Sequence, residues 1–163
     1  MIRTLILAVV ALTLAQSSLA SEVVTYPAPP EEPRSQDFEV WVDGKPVDVY
    51  TARVLDSPFA GKQWDYGGPY SFANFDTSGP VSVRIASKRS LRETVVRPQA
   101  ADVEVKVEDD HTLILKLPGP RKLSIEPDGK KGPLLLFANP PEKDVPKPDD
   151  SGVVYIGPGV HTA

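Results

Sequence analysis

The sequence of 163 residues contains no cysteine and only two histidines, His111 and His161. Without cysteine there is no disulfide framework, no thiol nucleophile, and no zinc or iron–sulfur site with Cys ligands. A metal site needs three or four converging ligands, and a catalytic triad needs a base held by an orienting carboxylate. We therefore expect no metal site and no cofactor, and we interpret Asp109, Asp110 and His111 as a solvated turn.

The chain also has little excess charge of either sign. The 18 Lys and Arg residues against 22 Asp and Glu give a net charge of −4. Phosphate binding needs a concentrated basic face, so the composition argues against nucleic acid as a partner.

Paired carboxylates, which hydrolysis of polysaccharides requires, are poorly placed in this sequence. Glycosidases use two carboxyl groups roughly 5–9.5 Å apart. The adjacent acid pairs of this sequence lie in predicted linkers or turns, where exposed carboxyl groups have ordinary pKa values. Asp65 and Asp76 lie beside aromatic residues but form no evident pair. The sequence therefore identifies no catalytic residue.

Proline, by contrast, is abundant, with 18 residues in the chain beside 11 glycines. That is about twice the usual share of roughly 5 %. So many helix breakers exclude a helical bundle or a coiled coil. Because 40 % of the residues are hydrophobic and 25 % are charged, the chain can form a core, and its length favours a single domain.

Residues 1–20 have the pattern of a cleaved signal peptide. Arg3 gives a positive start, residues 5–15 form the apolar run, and cleavage is expected after Ala20. The run is about eleven residues, whereas a bilayer span needs about 20. We therefore expect an exported protein, periplasmic or extracellular, with no membrane span in the mature chain.

The mature chain divides into a linker and a β-rich region. Residues 21–36 hold four prolines among charged residues and are predicted to be an extended, mobile linker. From residue 37 the period becomes two, as where Phe38, Val40 and Val42 occupy alternate positions. Short segments of this kind recur between turn signals without a helical pattern. The prediction is an all-β protein, an antiparallel β-sandwich of about nine or ten short strands over residues 37–163.

Two apolar segments close the sequence. Residues 134–138 form a continuous apolar strand, so we expect both of its faces to be covered. Residues 153–156 are predicted to be the last strand, and a rigid Gly-Pro-Gly exit follows it at residues 157–159.

Three aromatic residues lie close together in or beside a long Gly-rich loop, namely Trp64, Tyr66 and Tyr70. Their rings are suited to stacking on sugar rings. The alternative is that they fold back as a lid on the core or pack on a neighbouring domain. The sequence leaves both roles open.

Several segments together resemble the N-terminal β-sandwich of secreted polysaccharide-degrading enzymes related to polygalacturonases and dextranases. The most specific are Phe-Ala-Asn-Pro-Pro-Glu at residues 137–142 and Gly-Pro-Gly-Val-His at residues 157–161. Ile156 departs from the family, which more often has an aromatic residue there. The resemblance extends over residues 37–161. The supporting segments are residues 46–54, 71–76, 95–98 and 134–136.

In that family the sandwich precedes a right-handed parallel β-helix, which carries the catalytic carboxylates. The resemblance implies that this chain is a non-catalytic accessory domain of a secreted glycoside hydrolase, capping or supporting a β-helix catalytic domain in cis. The sequence ends at Ala163, where the β-helix would begin, so no catalytic residue can be transferred. We expect the chain alone not to be an enzyme, whether it is a fragment of a longer reading frame or a sandwich that stands alone.

The expected interface with the β-helix lies in the C-terminal region, and its candidate residues are Phe137, Asn139, Pro140, Tyr155, Gly157, Pro158 and Gly159. The alternative function is an autonomous carbohydrate-binding module, with polysaccharide bound by Trp64, Tyr66 and Tyr70. The DNA after the codon for Ala163 discriminates between the two functions.

Overall fold

The structure is a computed structural model that describes residues 21–54, 68–100 and 102–156. Over these ranges it contains only strands and loops, so no helix long and apolar enough to cross a membrane occurs there. The strands are β1 (Val23–Thr25), β2 (Phe38–Val42), β3 (Lys45–Val47), β4 (Val49–Val54), β5 (Gly68–Thr77), β6 (Val81–Ser87), β7 (Val95–Arg97), β8 (Glu104–Asp109), β9 (Thr112–Leu117), β10 (Arg121–Lys130) and β11 (Leu134–Asn139).

The strands form two sheets. Sheet A has six strands in the order β1-β5-β11-β10-β7, with β4 also paired to β5. Along one edge of the long strand β5, the first part pairs with β4 and the last part with β1. Sheet B has five strands in the order β3-β2-β6-β9-β8. The expected all-β sandwich is confirmed, with eleven strands among the described residues.

One strand pair departs from the expected antiparallel pattern. Strands β5 and β11 run parallel, with Phe72 opposite Leu135. A parallel pair needs a long crossover, and here the intervening chain forms β6, β8 and β9 in sheet B and β7 and β10 in sheet A before β11 pairs with β5. Short-range alternation contains no information about such a pairing, so the sequence pattern did not predict it.

The inner faces of the two sheets bury one apolar core. In β6, Val81, Val83 and Ile85 are buried, whereas Ser82 and Arg84 between them are exposed. The same alternation holds in β9 and β11. In β6, β9 and β11 the period of two in the sequence therefore reports correctly which residues face the core, whereas the alternating Val105 and Val107 of β8 are exposed. Fully burying each Leu, Ile or Phe contributes roughly 1.5–3 kcal/mol.

Residues 21–36, predicted to be a mobile linker, pack on sheet A, and we call them the N-terminal strap. Val23 in β1 is buried, and so is Ala28, whose amide donates a 2.9 Å hydrogen bond to Asp48. The guanidinium of Arg34 forms a 2.6 Å ion pair with the same carboxylate. The strap was missed because three strand residues before a proline cluster show no detectable alternation.

One further prediction needs correction. Residues 153–156 form no strand, because a short apolar run also needs a neighbouring strand to satisfy its backbone groups. Strand β10 continues through Pro127 and Gly129, two residue types that are uncommon inside a strand.

Candidate functional site

An aromatic stack crosses the outer surface of sheet A. Tyr50 in β4 lies opposite Phe72 in β5, and their ring centroids are 5.5 Å apart with planes 16° from parallel. Phe72 also stacks on Phe137 of β11, at 6.4 Å and 3°. All three rings are half-buried. They face outward because Val49, Ala73 and Leu136, their chain neighbours, point into the core.

An amide pair continues this surface on β5 and β11. The side-chain nitrogen of Asn139 donates a 2.7 Å hydrogen bond to the side-chain oxygen of Asn74. Both amides are half-buried and face the same side as the aromatic rings. We call the surface formed by Tyr50, Phe72, Asn74, Leu135, Phe137 and Asn139 the aromatic face.

Strand β11 shows that the aromatic face is incompletely covered. Leu134 and Leu136 are fully buried on the inner side, whereas Leu135 and Phe137 on the outer side are only half-buried. The continuous apolar run therefore has its inner face covered, as predicted, and its outer face open in part. Outward-facing Leu and Phe on a central strand are typical of a surface that packs against another element.

Polar groups border the aromatic face at two places. On one side the buried carboxylate of Glu126 accepts hydrogen bonds from Arg97 at 3.1 Å and from Ser124 at 3.0 Å. On the other side Asp76 accepts a 2.6 Å hydrogen bond from the hydroxyl of Tyr26. An apolar centre with a polar rim is the usual anatomy of a protein interface.

The chain that follows β11 exposes large apolar side chains. Val145 is 58 % exposed, and Val154, Tyr155 and Ile156 are 88 %, 57 % and 69 % exposed. Pro140, the first residue of this segment, is also exposed. Several large exposed hydrophobic residues in one segment are a common sign of a contact with another protein part.

Of the residues predicted for the interface, Phe137 and Asn139 lie within the aromatic face, while Pro140 and Tyr155 lie in the exposed segment after it. Gly157, Pro158 and Gly159 lie outside the described residues, and so do Trp64 and Tyr66 from the predicted sugar-binding loop. Tyr70 lies in β5, two residues before Phe72 and therefore on the same side of the sheet.

The sequence analysis missed Tyr50, Phe72 and Trp41 as outward-facing aromatic residues. Each alternates with buried neighbours, so the period of two was a sufficient signal for its direction. What the sequence did not contain is the strand register, which brings Tyr50, Phe72 and Phe137 together from three strands.

The structure places His111 in the turn between β8 and β9. Its Nδ1 lies 3.1 Å from the carbonyl oxygen of Ser87 and 3.3 Å from that of Arg89. The backbone amide of His111 donates a hydrogen bond to Asp109, which lowers the pKa of that carboxyl group. Within the described ranges no three His, Asp or Glu side chains converge in a way that could hold a metal ion.

Comparisons with known proteins support the fold. No family model matches the sequence, and no curated protein matches it. Among solved structures, Dex49A from Penicillium minioluteum matches with a TM-score of 0.52 and 19 % sequence identity, over 83 % of this chain. The match covers 33 % of the Dex49A chain, so this chain spans about a third of the length of that structure. The match shows that the β-sandwich of this chain is similar in fold to one part of Dex49A.

Proposed function

We propose that the chain is a non-catalytic accessory β-sandwich of an exported glycoside hydrolase, and that it packs against a β-helix catalytic domain in cis. The half-exposed aromatic face is the observation that carries this proposal. It presents three stacked rings and Leu135 on one flat surface with polar groups at its border. Such a surface gains stability when another domain excludes water from it.

The direction of the chain supports the same partner. Strand β11 contributes Leu135, Phe137 and Asn139 to the aromatic face, and the chain leaves the sheet directly after Asn139. A domain that follows in the chain is therefore tethered beside this surface. Tethering raises the effective concentration of the partner, so a modest apolar contact is sufficient to keep the two domains together.

Export belongs to the proposal. The signal-peptide pattern in residues 1–20 and the absence of cysteine fit a protein that folds outside the cytoplasm by packing alone. Within this proposal the accessory domain covers an open end of the β-helix, whose terminal strands otherwise expose unpaired backbone groups.

Because the chain lacks cysteine, single introduced thiols can report on the interface. Leu135→Cys and Tyr155→Cys would be compared with Ser82→Cys, which lies on the outer side of sheet B. The rate of thiol modification would be measured in the isolated chain and in the protein extended by the β-helix domain. We expect the extension to slow modification at positions 135 and 155 at least about tenfold and to leave position 82 unchanged.

If modification at positions 135 and 155 is as fast in the extended protein as in the isolated chain, the proposed packing is wrong. Reading the DNA after the codon for Ala163 is the first step. An in-frame continuation with many short strands supports the accessory domain, whereas a stop codon there favours the autonomous carbohydrate-binding module.

A further inference from the structure

A row of four side chains crosses the outer face of sheet B, on the opposite side of the molecule from the aromatic face. Trp41 in β2 is opposite Arg84 in β6, Arg84 is opposite Ile114 in β9, and Ile114 is opposite Lys106 in β8. We call these four residues the Trp–Arg row. Neighbouring strands are about 4.8 Å apart, so the row is about 14 Å long between its outer backbones.

The Trp–Arg row contains two cations, Arg84 and Lys106. The guanidinium carbon of Arg84 lies 4.9 Å from the centroid of the Trp41 ring. Neither Arg84 nor Lys106 forms an ion pair with a described residue, whereas Lys116 on the same face is paired with Glu104 at 3.0 Å. Both unpaired cations are exposed. The row therefore offers two unpaired cations, and the carboxylate of Asp43, which lines the same groove as Arg84, accepts a 2.9 Å hydrogen bond from the Ser82 amide.

Trp41 is half-buried and separates two open grooves on this face. One groove, of about 360 Å³, also contains Arg84, Ser82, Ile114 and Asp43. The other, of about 330 Å³, contains Pro46, Glu39 and the ion pair of Arg34 with Asp48. An indole ring between two grooves gives a chain-like ligand an apolar platform that it can cross, unlike a closed pocket that fits a single small molecule.

We propose that the Trp–Arg row binds an acidic polysaccharide, meaning a glycan whose sugar rings carry carboxylates. A pyranose ring packs its apolar C–H face on Trp41, and its carboxylate accepts hydrogen bonds from the Arg84 guanidinium, which suits planar carboxylates. Lys106 lies about 10 Å further along the row, across two strand spacings, and contacts a carboxylate on a later ring.

The glycan class rests on the proposed function, whereas the site rests on the geometry of sheet B. Failure of the thiol-protection experiment on sheet A would remove the accessory-domain proposal and leave this one open. The competing explanation of the same geometry is a cross-strand pair that stabilises the sheet without a ligand. That explanation predicts effects of substitution on stability but none on glycan binding.

The test uses the mature chain with Trp64→Phe, so that Trp41 is the remaining indole and its fluorescence reports on binding. Alginate, neutral dextran and polyaspartate would be titrated at low ionic strength. Alginate has carboxylates on sugar rings, dextran has rings without charge, and polyaspartate has carboxylates without rings. We expect saturable binding of alginate and at least about tenfold weaker binding of the other two.

Substitutions then locate the site. Arg84→Gln is expected to weaken alginate binding at least about tenfold, because a charge-assisted hydrogen bond is lost. Lys116→Gln removes one positive charge from the same face, but this cation is already paired with Glu104. It is therefore expected to change binding less than about twofold. Trp41→Ala and the milder change Trp41→Phe would both be checked for folding by circular dichroism. Because these variants lack the reporting indole, their alginate binding would be measured by affinity electrophoresis.

Three results would each overturn the proposal. They are the absence of alginate binding, equal losses in Arg84→Gln and Lys116→Gln, and equal binding of polyaspartate and alginate. The last two would identify a non-specific attraction between polyanions and exposed cations.

Discussion

The hydroxyl of Tyr26 donates a 2.6 Å hydrogen bond to the carboxylate of Asp76, fifty positions further along the chain. Asp76 is buried in β5, whereas Tyr26 is 43 % exposed at the edge of sheet A. The bond fastens the N-terminal strap beside the strand that also carries Phe72 of the aromatic face. The strap is therefore part of the domain, and its contacts contribute to the stability of sheet A.

The first prediction concerns β1. Val23 is buried against the core, while the adjacent Val24 is 36 % exposed. We expect Val23→Ala to lower the free energy of unfolding by about 1–2 kcal/mol and Val24→Ala by less than about 0.5 kcal/mol. Urea unfolding of both variants measures this. Deleting residues 21–36 should cost more than Val23→Ala alone, and an unchanged midpoint after the deletion would show that the strap contributes nothing.

The second prediction concerns the ionisation of Tyr26. The hydrogen bond to Asp76, followed by burial, raises its pKa from 10.0 to about 12. Since the folded-state pKa lies above the unfolded value, this contribution to stability is present below pH 10 and is lost as the pH rises towards 12. Ultraviolet difference titration of the wild type against Tyr26→Phe should give a midpoint near 12. In Asp76→Asn we expect the midpoint to move towards 10, and a wild-type midpoint already at 10 would contradict the assignment.

The sequence predicted the architecture well because inward and outward positions alternate in most strands. Val81, Val83 and Ile85 in β6 show how a period of two identifies the core face without knowledge of the partner strands. Pairing was not accessible in the same way. The parallel contact of β5 with β11 joins segments distant in sequence, and a local pattern carries no signal for it.

The candidate surfaces were predicted only in part for the same reason. Phe137 and Asn139 were identified through the family resemblance, but their contacts with Phe72 and Asn74 depend on the register of β5 and β11. For the apolar run at residues 153–156 the sequence predicted a strand that the structure does not contain. Its composition fits a strand, yet the side chains of Val154, Tyr155 and Ile156 are exposed and no described strand pairs with the run.

The third prediction concerns the stability of the fold at low pH. The hydrogen bond from Arg34, and to a smaller extent that from the Ala28 amide, lowers the pKa of Asp48 below its ordinary value of 3.8. Its contribution to stability is therefore present above about pH 3.8 and is lost as the pH falls through the lower folded-state pKa. The pair is partly exposed, so we expect Asp48→Asn to cost below about 1 kcal/mol at pH 7.

The same variant should lose less stability than the wild type between pH 6 and pH 2. Urea midpoints across that range measure the difference. Asp149→Asn, which changes an exposed carboxylate in the C-terminal segment, is the matched control and should follow the wild type. Parallel pH profiles for Asp48→Asn and the wild type would refute the role of this carboxylate in holding the strap.

The fourth prediction compares the cost in stability of a substitution in the aromatic face with that of a substitution in the core. Phe72 is half-buried between Tyr50 and Phe137, whereas Leu136 is fully buried under the same sheet. We expect Phe72→Ala to destabilise the isolated chain by about 1–2 kcal/mol and Leu136→Ala by about 2–5 kcal/mol. In the protein extended by a β-helix domain, the cost of Phe72→Ala should rise, because more of the ring is then buried. An equal cost in both proteins would argue against a contact at Phe72.

The last prediction is that the isolated chain hydrolyses no polysaccharide. Its two buried carboxylates in the described ranges, Asp76 and Glu126, lie on β5 and β10 with β11 between them. Strand register places them about 20 Å apart, whereas glycosidases need a pair within about 5–9.5 Å. Each is also bonded to a neighbouring side chain, Tyr26 or Arg97. Reducing-sugar release from dextran, pectin and xylan should therefore stay at background with excess protein. Turnover that survives repurification and disappears in Asp76→Asn or Glu126→Gln would prove this wrong.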